Sequence, residues 1–158
     1  MLKRMLFIIV IVFAGLVILG TIGLMVWARG AKRPTNLGVT NGQLAPCPGT
    51  PNCVATQNAA ASQQLPPLPY TGSLAAAKTR LLKVVQNMPR VESLANQDKY
   101  LAFVFRSRLI GYPDDVEFLL DDAAKVILFR SASRLGKGDM GVNRARMEAI
   151  RQAFATQP

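Results

Sequence analysis

Five carboxylates in the segment YPDDVEFLLDD are the side chains whose types and spacing best fit acid–base chemistry. The chain contains no histidine, which excludes imidazole bases, Ser-His-Asp triads and histidine-rich metal sites. If residues 115–120 form a strand, Asp115 and Glu117 share one face about 7 Å apart, and such a pair can exchange protons when one pKa is raised. The alternative is a solvated strand face that ends in a polar hairpin turn at Asp121 and Asp122.

The segment SASRLGKGDMGVNRAR, residues 131–146, combines serines, arginines and three glycines and could hold an anion. Asp139 can cap the first turn of a helix that follows, and Asn143 could do so if the helix starts later. Arginines around a helix N-terminus form an anion-binding geometry. The candidate anion or ligand site consists of Arg130, Ser131, Ser133, Arg134, Asp139, Asn143 and Arg144. The alternative is a glycine loop with a helix cap and ion pairs.

The two cysteines indicate a disulfide and an oxidising compartment. Cys47 and Cys53 lie in PCPGTPNC with five residues between them, close enough to be bridged. They do not form the C-x-x-C of a thioredoxin-type catalyst, and a zinc site would need carboxylates from distant segments. Glycine fingerprints for nucleotides are also missing from the sequence. We therefore expect no metal and no cofactor, and the disulfide favours a domain outside the cytoplasm.

The N-terminal segment predicts a membrane helix. Residues 5–27 contain no charged residue and span roughly 34 Å as a helix, enough to cross a hydrocarbon core of about 30 Å. We expect an uncleaved signal anchor in the lipid bilayer. A cleaved signal peptide is the alternative, but its apolar region would be about 7–15 residues long and end in small residues. Because the positive-inside count is almost balanced, the cysteines decide the orientation, and we expect a single-pass membrane protein with its C-terminal domain outside the cytoplasm.

The net charge of +10 does not indicate a nucleic-acid partner. Half of it comes from residues 1–33, which carry five basic residues and no acid. Such basic flanks are ordinary for a membrane anchor. The remainder contains no basic run with interleaved aromatic residues, so we expect no nucleic acid to bind.

Composition divides the chain into three parts. Residues 1–32 are the anchor with its basic flanks, residues 33–72 a connector with the Cys47–Cys53 loop, and residues 73–156 the folded domain. Seven prolines in the connector disfavour helices and central strands. We expect it to run as an extended segment without packed secondary structure.

The folded domain shows a helix, four strands and a second helix. Ser73 is a plausible N-cap for a helix that Pro89 stops. Period-2 patterns separated by short gaps predict antiparallel strands, and a closing helix follows. The strands are expected at residues 90–95, 100–107, 115–120 and 125–131, and the helix at about 140–155. The fold class is α+β, with two helices on one face of a four-stranded antiparallel sheet.

The apolar alternation also predicts a strand register. Placing Leu120 opposite Lys125 sets Asp115 opposite Arg130, and aligning the preceding strand in the same way puts Arg106 beside Asp115. The expected result is an Arg106–Asp115–Arg130 row on the sheet face away from the helices, which would set register more than stability.

Three segments together resemble the family called domain of unknown function 1499. They are CPGTPNCVAT, DDVEF and RSASRLGKGDMGVNRARMEAIR, in this order, and the match covers roughly residues 37–154. The family occurs in bacterial envelopes and plastids, and the resemblance implies no established activity. It implies that the pattern includes Cys47, Cys53, Asp115, Glu117, Ser131, Ser133, Arg134, Gly136, Asp139, Gly141, Asn143 and Arg144.

The sequence therefore predicts a non-enzymatic, membrane-anchored envelope protein that binds a protein partner or an anionic ligand near the bilayer. The alternative is a hydrolase or transferase that uses Asp115 and Glu117. A deep pocket holding both carboxylates would favour the enzyme, and a flat, solvated carboxylate face would count against it.

Overall fold

The computed structural model describes residues 1–156, which begin with a long apolar helix, α1, Leu2–Arg29. Its most apolar stretch has a mean hydropathy of 3.0 and none of it is covered by the rest of the chain. By length and composition α1 is able to cross a membrane, a test that a signal sequence near the N-terminus would also pass. At its C-terminal end Ala28 is fully buried against the domain.

Eight strands and two further α-helices follow α1. In chain order they are β1 Val39–Thr40, β2 Gln43–Leu44, β3 Cys53–Ala55, β4 Leu68–Pro69, α2 Leu74–Gln86, β5 Val91–Asn96, β6 Tyr100–Arg106, β7 Pro113–Asp121, β8 Val126–Ser133 and α3 Val142–Thr156, with a short 3₁₀ helix Ala61–Gln63 between β3 and β4. The α+β class and the antiparallel arrangement are confirmed, with helix and strand bounds close to those expected.

The main sheet has six strands rather than the four expected. Its order is β3-β8-β7-β6-β5, every pairing is antiparallel, and β4 pairs with another part of β8. The two additional strands come from the connector, which was expected to carry no packed structure. Because β3 and β4 are only three and two residues long, they show no alternation that a sequence pattern could detect. The edge of β8 supplies the hydrogen-bonding partners that such short segments need.

Both α2 and α3 pack on one face of this sheet and form the main core. Leu81 and Val85 from α2 and Ile150 from α3 are fully buried there against Phe103 and Phe118. Burial of side chains of this size stabilises the fold by about 1.5–3 kcal/mol each. At the start of α2 the predicted cap is confirmed, because Ser73 Oγ accepts a hydrogen bond of 3.2 Å from the backbone N–H of Ala76.

The predicted strand register is wrong by two residues, although the faces are right. Glu117 lies opposite Arg130 and Asp115 opposite Ala132, so the expected Arg106–Asp115–Arg130 row does not form. The turn causes the shift, since Lys125 has a φ of 54° and belongs to the turn rather than to β8. A shift of two residues keeps every side chain on its expected face because the side-chain period of a strand is two.

The face of the sheet away from the helices, called the outer face here, is covered rather than solvated. Leu44 of the β1–β2 hairpin packs on Tyr100 and Ala102 in a second, smaller core cluster. The connector therefore lies over the carboxylates of β7, and Asp115 and Glu117 retain only 1% and 0% of their accessible surface.

Candidate functional site

The glycine-rich segment between β8 and α3 ends in a helix cap, as its sequence predicts. Asp139 Oδ2 accepts a hydrogen bond of 2.9 Å from the N–H of Asn143, and Oδ1 accepts one of 3.0 Å from the N–H of Gly141. Burial alone would raise the pKa of Asp139, but these hydrogen bonds and one from the Asn143 side chain hold that pKa below its usual range. The carboxylate therefore stabilises the start of α3 in its charged form.

Asn143 lies at the centre of a buried hydrogen-bond network at this helix start. Its Oδ1 accepts hydrogen bonds of 2.6 Å from both Ser131 Oγ and Arg146 Nη1. Its Nδ2 donates to Asp139 Oδ2 at 2.8 Å, to Ser133 Oγ at 2.9 Å and to the Asn52 carbonyl at 3.1 Å. Asn143 is fully buried. This side chain joins α3 to β8 and to the connector, which is a structural use of the candidate site.

Arg146, predicted with the other arginines around this helix start, completes the network together with Asp114 and Asn52. Arg146 Nη2 donates to Asp114 Oδ2 at 2.5 Å, and the Asn52 side chain donates to the Gly136 carbonyl at 2.7 Å. Arg146 also lies 4.8 Å from the centre of the Phe105 ring. Sequence reasoning assigned no role to Asn52 and counted Asp114 only among the candidate acid–base carboxylates, since their partners are distant in the chain.

Arg134 binds Asp115 on the outer face of the sheet rather than the start of α3. Its Nε and Nη2 bind the two oxygens of Asp115 at 2.8 and 2.6 Å. The hydrogen bonds to Asp115 raise the pKa of Arg134 above its ordinary value. Its Nη1 donates to the carbonyl of Ala31 at 3.2 Å, two residues after the end of α1. Arg134 therefore ties the segment after α1 to β7.

Glu117 is held in a second ion pair on the same face. Arg130 Nη1 donates to Glu117 Oε2 at 3.2 Å, and both side chains are more than nine-tenths buried. Glu117 Oε1 accepts from the Tyr100 hydroxyl at 2.8 Å and from the Gly38 N–H at 2.7 Å. Burial first, and then the Glu117 charge, raise the pKa of Tyr100 well above its ordinary value. Arg130 Nε is buried without a hydrogen-bond partner among residues 1–156.

These contacts decide what the two carboxylates can do chemically. Each oxygen of Asp115 and Glu117 already accepts a hydrogen bond, and the connector covers both residues. They share one face as expected, but neither a deep pocket nor a solvated face surrounds them. A substrate would have to displace the covering connector and compete with an arginine at each carboxylate.

Arg144 does not meet Arg134 at the start of α3. Its Nη2 donates to the carbonyl of Ser62 at 2.6 Å, and its Nη1 lies 3.9 Å from Glu148. A cleft of about 330 Å³ at this helix start is lined by Arg144 and also by Asp139. An anion there would face a carboxylate as well as a guanidinium, so anion binding by this cleft stays a prediction.

The predicted disulfide is present in the connector. Cys47 and Cys53 are bonded, with their Cα atoms 5.7 Å apart. Cys53 lies opposite Ala132 of β8, which in turn lies opposite Asp115. The bond therefore fixes the connector over the same face of the sheet that carries the ion pairs.

A comparison with protein families identifies the domain. A family model described as a protein of unknown function (DUF1499) matches residues 43–154. The chain belongs to this family. No curated protein and no solved structure is significantly similar to the chain. The match begins at β2 and therefore includes the disulfide loop, β3 and β4 with the rest of the DUF1499 domain.

The DUF1499 motifs meet at one end of the sheet. The CPGTPNC loop, DDVEF and the segment before α3 supply the partners of the Asn143 network and of both ion pairs. Their hydrogen bonds join three distant parts of the chain. In this DUF1499 chain many side chains of the most specific motif make folding contacts, as the structural alternative for the glycine loop expects.

A second cluster of charge lies beside the end of α1, and no sequence pattern indicated it. A cleft of about 360 Å³ is lined by four arginines and one glutamate: Arg29, Arg90, Arg106, Arg108 and Glu92. The arginines come from α1, the turn before β5, the end of β6 and the loop after it. Among residues 1–156, none of the four guanidinium groups has a carboxylate within 4 Å. With one glutamate against four arginines, this basic cleft carries a net positive charge.

Proposed function

We propose that this protein is a membrane-anchored cell-envelope module that binds an anionic ligand or a protein partner close to the bilayer, without catalysing a reaction. The basic cleft is the observation that carries the proposal. Its four guanidinium groups outnumber the one carboxylate, Glu92, and an excess of like charge raises the local potential and attracts anions. The carboxylates that the alternative enzyme would use are covered and paired, so nothing in their geometry favours a hydrolase or transferase.

The end of α1 supports an anchor that stays attached to the domain. Ala28 is fully buried, and the ring of Trp27 packs edge-on against Tyr112 with ring centroids 6.4 Å apart. Removal of residues 1–28 as a signal peptide would abolish both contacts. The intact mass of the protein extracted from membranes distinguishes the two, because an uncleaved anchor retains residues 1–28.

The disulfide supports a domain outside the cytoplasm, which we propose to be the periplasmic side of a bacterial inner membrane. Trapping free thiols in intact cells and alkylating the unreduced protein should leave Cys47 and Cys53 unmodified. Alkylation of both residues would place the domain in a reducing compartment and contradict this orientation.

Native mass spectrometry tests the binding function itself. The full chain, purified in mild detergent from its own membrane, should carry a bound anionic molecule or protein. Arg90→Gln with Arg108→Gln should release it, whereas Lys78→Gln with Lys99→Gln, which removes the same charge elsewhere, should not. A wild-type chain that carries no anion and no partner would contradict the proposal.

A further inference from the structure

The basic cleft lies where α1 leaves its apolar span. Arg29 is the last residue of α1 and lines the cleft, two positions after the interfacial side chain of Trp27. Its Cγ and Nε pack against Gly111, each 3.8 Å from the position that a Cβ atom would take there. A helix that spans a bilayer and ends in Trp and Arg places those residues at the lipid headgroups. The cleft beside Arg29 then lies at the same depth.

Exposed apolar side chains gather at this same end of the domain. Leu109 lines the basic cleft on one side of the end of α1, and Met140 and Val142 line a second cleft with Trp27 on the other. Leu109 is 77% exposed and Met140 fully so. An apolar tip and a cluster of arginines therefore adjoin at Leu109. This combination fits a surface that is apolar on one side and anionic on the other.

The arginines of the cleft have donors left for a ligand. Nη1 of Arg106 is buried and has no hydrogen-bond partner in the described part of the chain. Arg90 uses its Nε for the carbonyl of Arg106, which leaves its terminal nitrogens free to turn into the cleft. Guanidinium groups bind phosphate oxygens in pairs of parallel hydrogen bonds.

Resting on the proposed function, we infer that this cleft is a headgroup site for an anionic phospholipid, and that the Leu109 loop enters the bilayer interface beside it. The phosphate diester binds the arginines, and the acyl chains extend along the apolar residues toward α1. A soluble anion would use the charges but not the exposed Leu109 or the position at the end of the anchor. Both features are explained by a lipid.

Lipid titration of the full chain in detergent, followed by native mass spectrometry, tests this inference. Phosphatidylglycerol and phosphatidylcholine with identical acyl chains are added to the wild type and to three variants. Arg90→Gln with Arg108→Gln should weaken phosphatidylglycerol binding about thirtyfold, since each basic residue near a lipid surface contributes about fivefold. Lys78→Gln with Lys99→Gln should leave binding unchanged. Leu109→Ser should weaken lipid binding without changing the response to inorganic phosphate.

The single variant Arg108→Gln tests the inference even if the double variant fails to fold. Arg108 is exposed and forms no ion pair within residues 1–156, so Arg108→Gln alone should retain the wild-type melting temperature and still lose about fivefold in phosphatidylglycerol affinity. Equal binding of the two lipids by the wild type would overturn the inference, as would equal losses in the cleft and control variants. Inorganic phosphate binding as tightly as phosphatidylglycerol would assign the cleft to a soluble anion, leaving the proposed function standing. Binding of neither would remove both.

Discussion

Asn143 uses nearly all of its hydrogen-bonding capacity to hold α3 against the sheet. Its amide contacts two serines of β8, a backbone carbonyl of the connector and the capping carboxylate of Asp139. A buried polar side chain without hydrogen-bond partners destabilises the folded state, whereas one with all its partners favours a single arrangement of the core. The presence of Ser131, Ser133 and Asp139 around Asn143 in the family motif is therefore consistent with the geometry of this one amide.

Replacing Asn143 with alanine should destabilise the domain by about 3 kcal/mol, because several buried donors and acceptors would lose their partner at once. Urea denaturation of the purified chain measures the change. Asn96→Ala provides the control, since Asn96 is exposed at the end of β5, and it should change the stability by less than about 0.5 kcal/mol. A loss for Asn143→Ala no larger than the control would remove the network from the folding argument.

Asp139 predicts a pH dependence of stability at its own helix cap. Its pKa is lower in the folded state than the ordinary 3.8. A lowered pKa contributes stability that is fully present above the unfolded value and is lost as the pH falls through the folded value. The wild type should therefore exceed Asp139→Asn in unfolding midpoint above about pH 4, and the two should converge at lower pH. A difference that stays constant on acidification would contradict the charged cap.

At the scale of the element, the connector is the part that sequence reasoning described least well. Ser73, the bounds of β5 to β8 and the apolar faces followed from capping and periodicity. Strands β3 and β4 did not, because two or three residues between prolines carry no period, and their pairing depends on the free edge of β8. Because the position of the connector was not predictable, neither was the burial of Asp115 and Glu117. The alternation of β7 alone would place these two side chains on an exposed face.

The Arg130–Glu117 pair between β7 and β8 predicts an asymmetric response to mutation. Glu117→Gln should cost about 3 kcal/mol or more, since it leaves the Arg130 charge buried without compensation. Adding Arg130→Met should recover more than half of that loss. The amide oxygen introduced at position 117 would still accept from Tyr100 and Gly38, while the unpaired Arg130 Nε disappears. Denaturation of both variants measures the difference.

The exposed pair Asp122–Lys125 supplies the control for this comparison. Its side chains retain 44% and 47% of their accessible surface, and a pair this exposed is screened by water. Asp122 Oδ1 also accepts a hydrogen bond of 2.8 Å from the Tyr70 hydroxyl, which an asparagine oxygen can still accept, so Asp122→Asn should cost much less stability than Glu117→Gln. The structural interpretation of the buried pair would fail if Glu117→Gln cost as little as Asp122→Asn, and the carboxylate would then be open to a functional role.

At the scale of the whole molecule, α1 and the domain are joined by contacts rather than by a free linker. Trp27 packs on Tyr112, Ala28 is buried, and Arg134 reaches the carbonyl of Ala31. If α1 is the membrane anchor proposed above, these contacts fix which end of the sheet faces the bilayer. The basic cleft and the exposed Leu109 lie at that end. The docking of α1 therefore determines both the orientation of the domain and the position of its proposed ligand.

A chain shortened to residues 32–158 should consequently have a less stable domain, although none of the sheet is removed. An edge-on aromatic contact contributes about 0.5–1.5 kcal/mol and a hydrogen bond from a charged group about 1.5–3 kcal/mol, so we expect a loss of about 2–4.5 kcal/mol in denaturation. Phe13→Leu in the full chain, which alters the apolar span but not its end, should show no loss. If the shortened domain were as stable as the full chain, the end of α1 would not be docked, and the depth assigned to the basic cleft would lose its support.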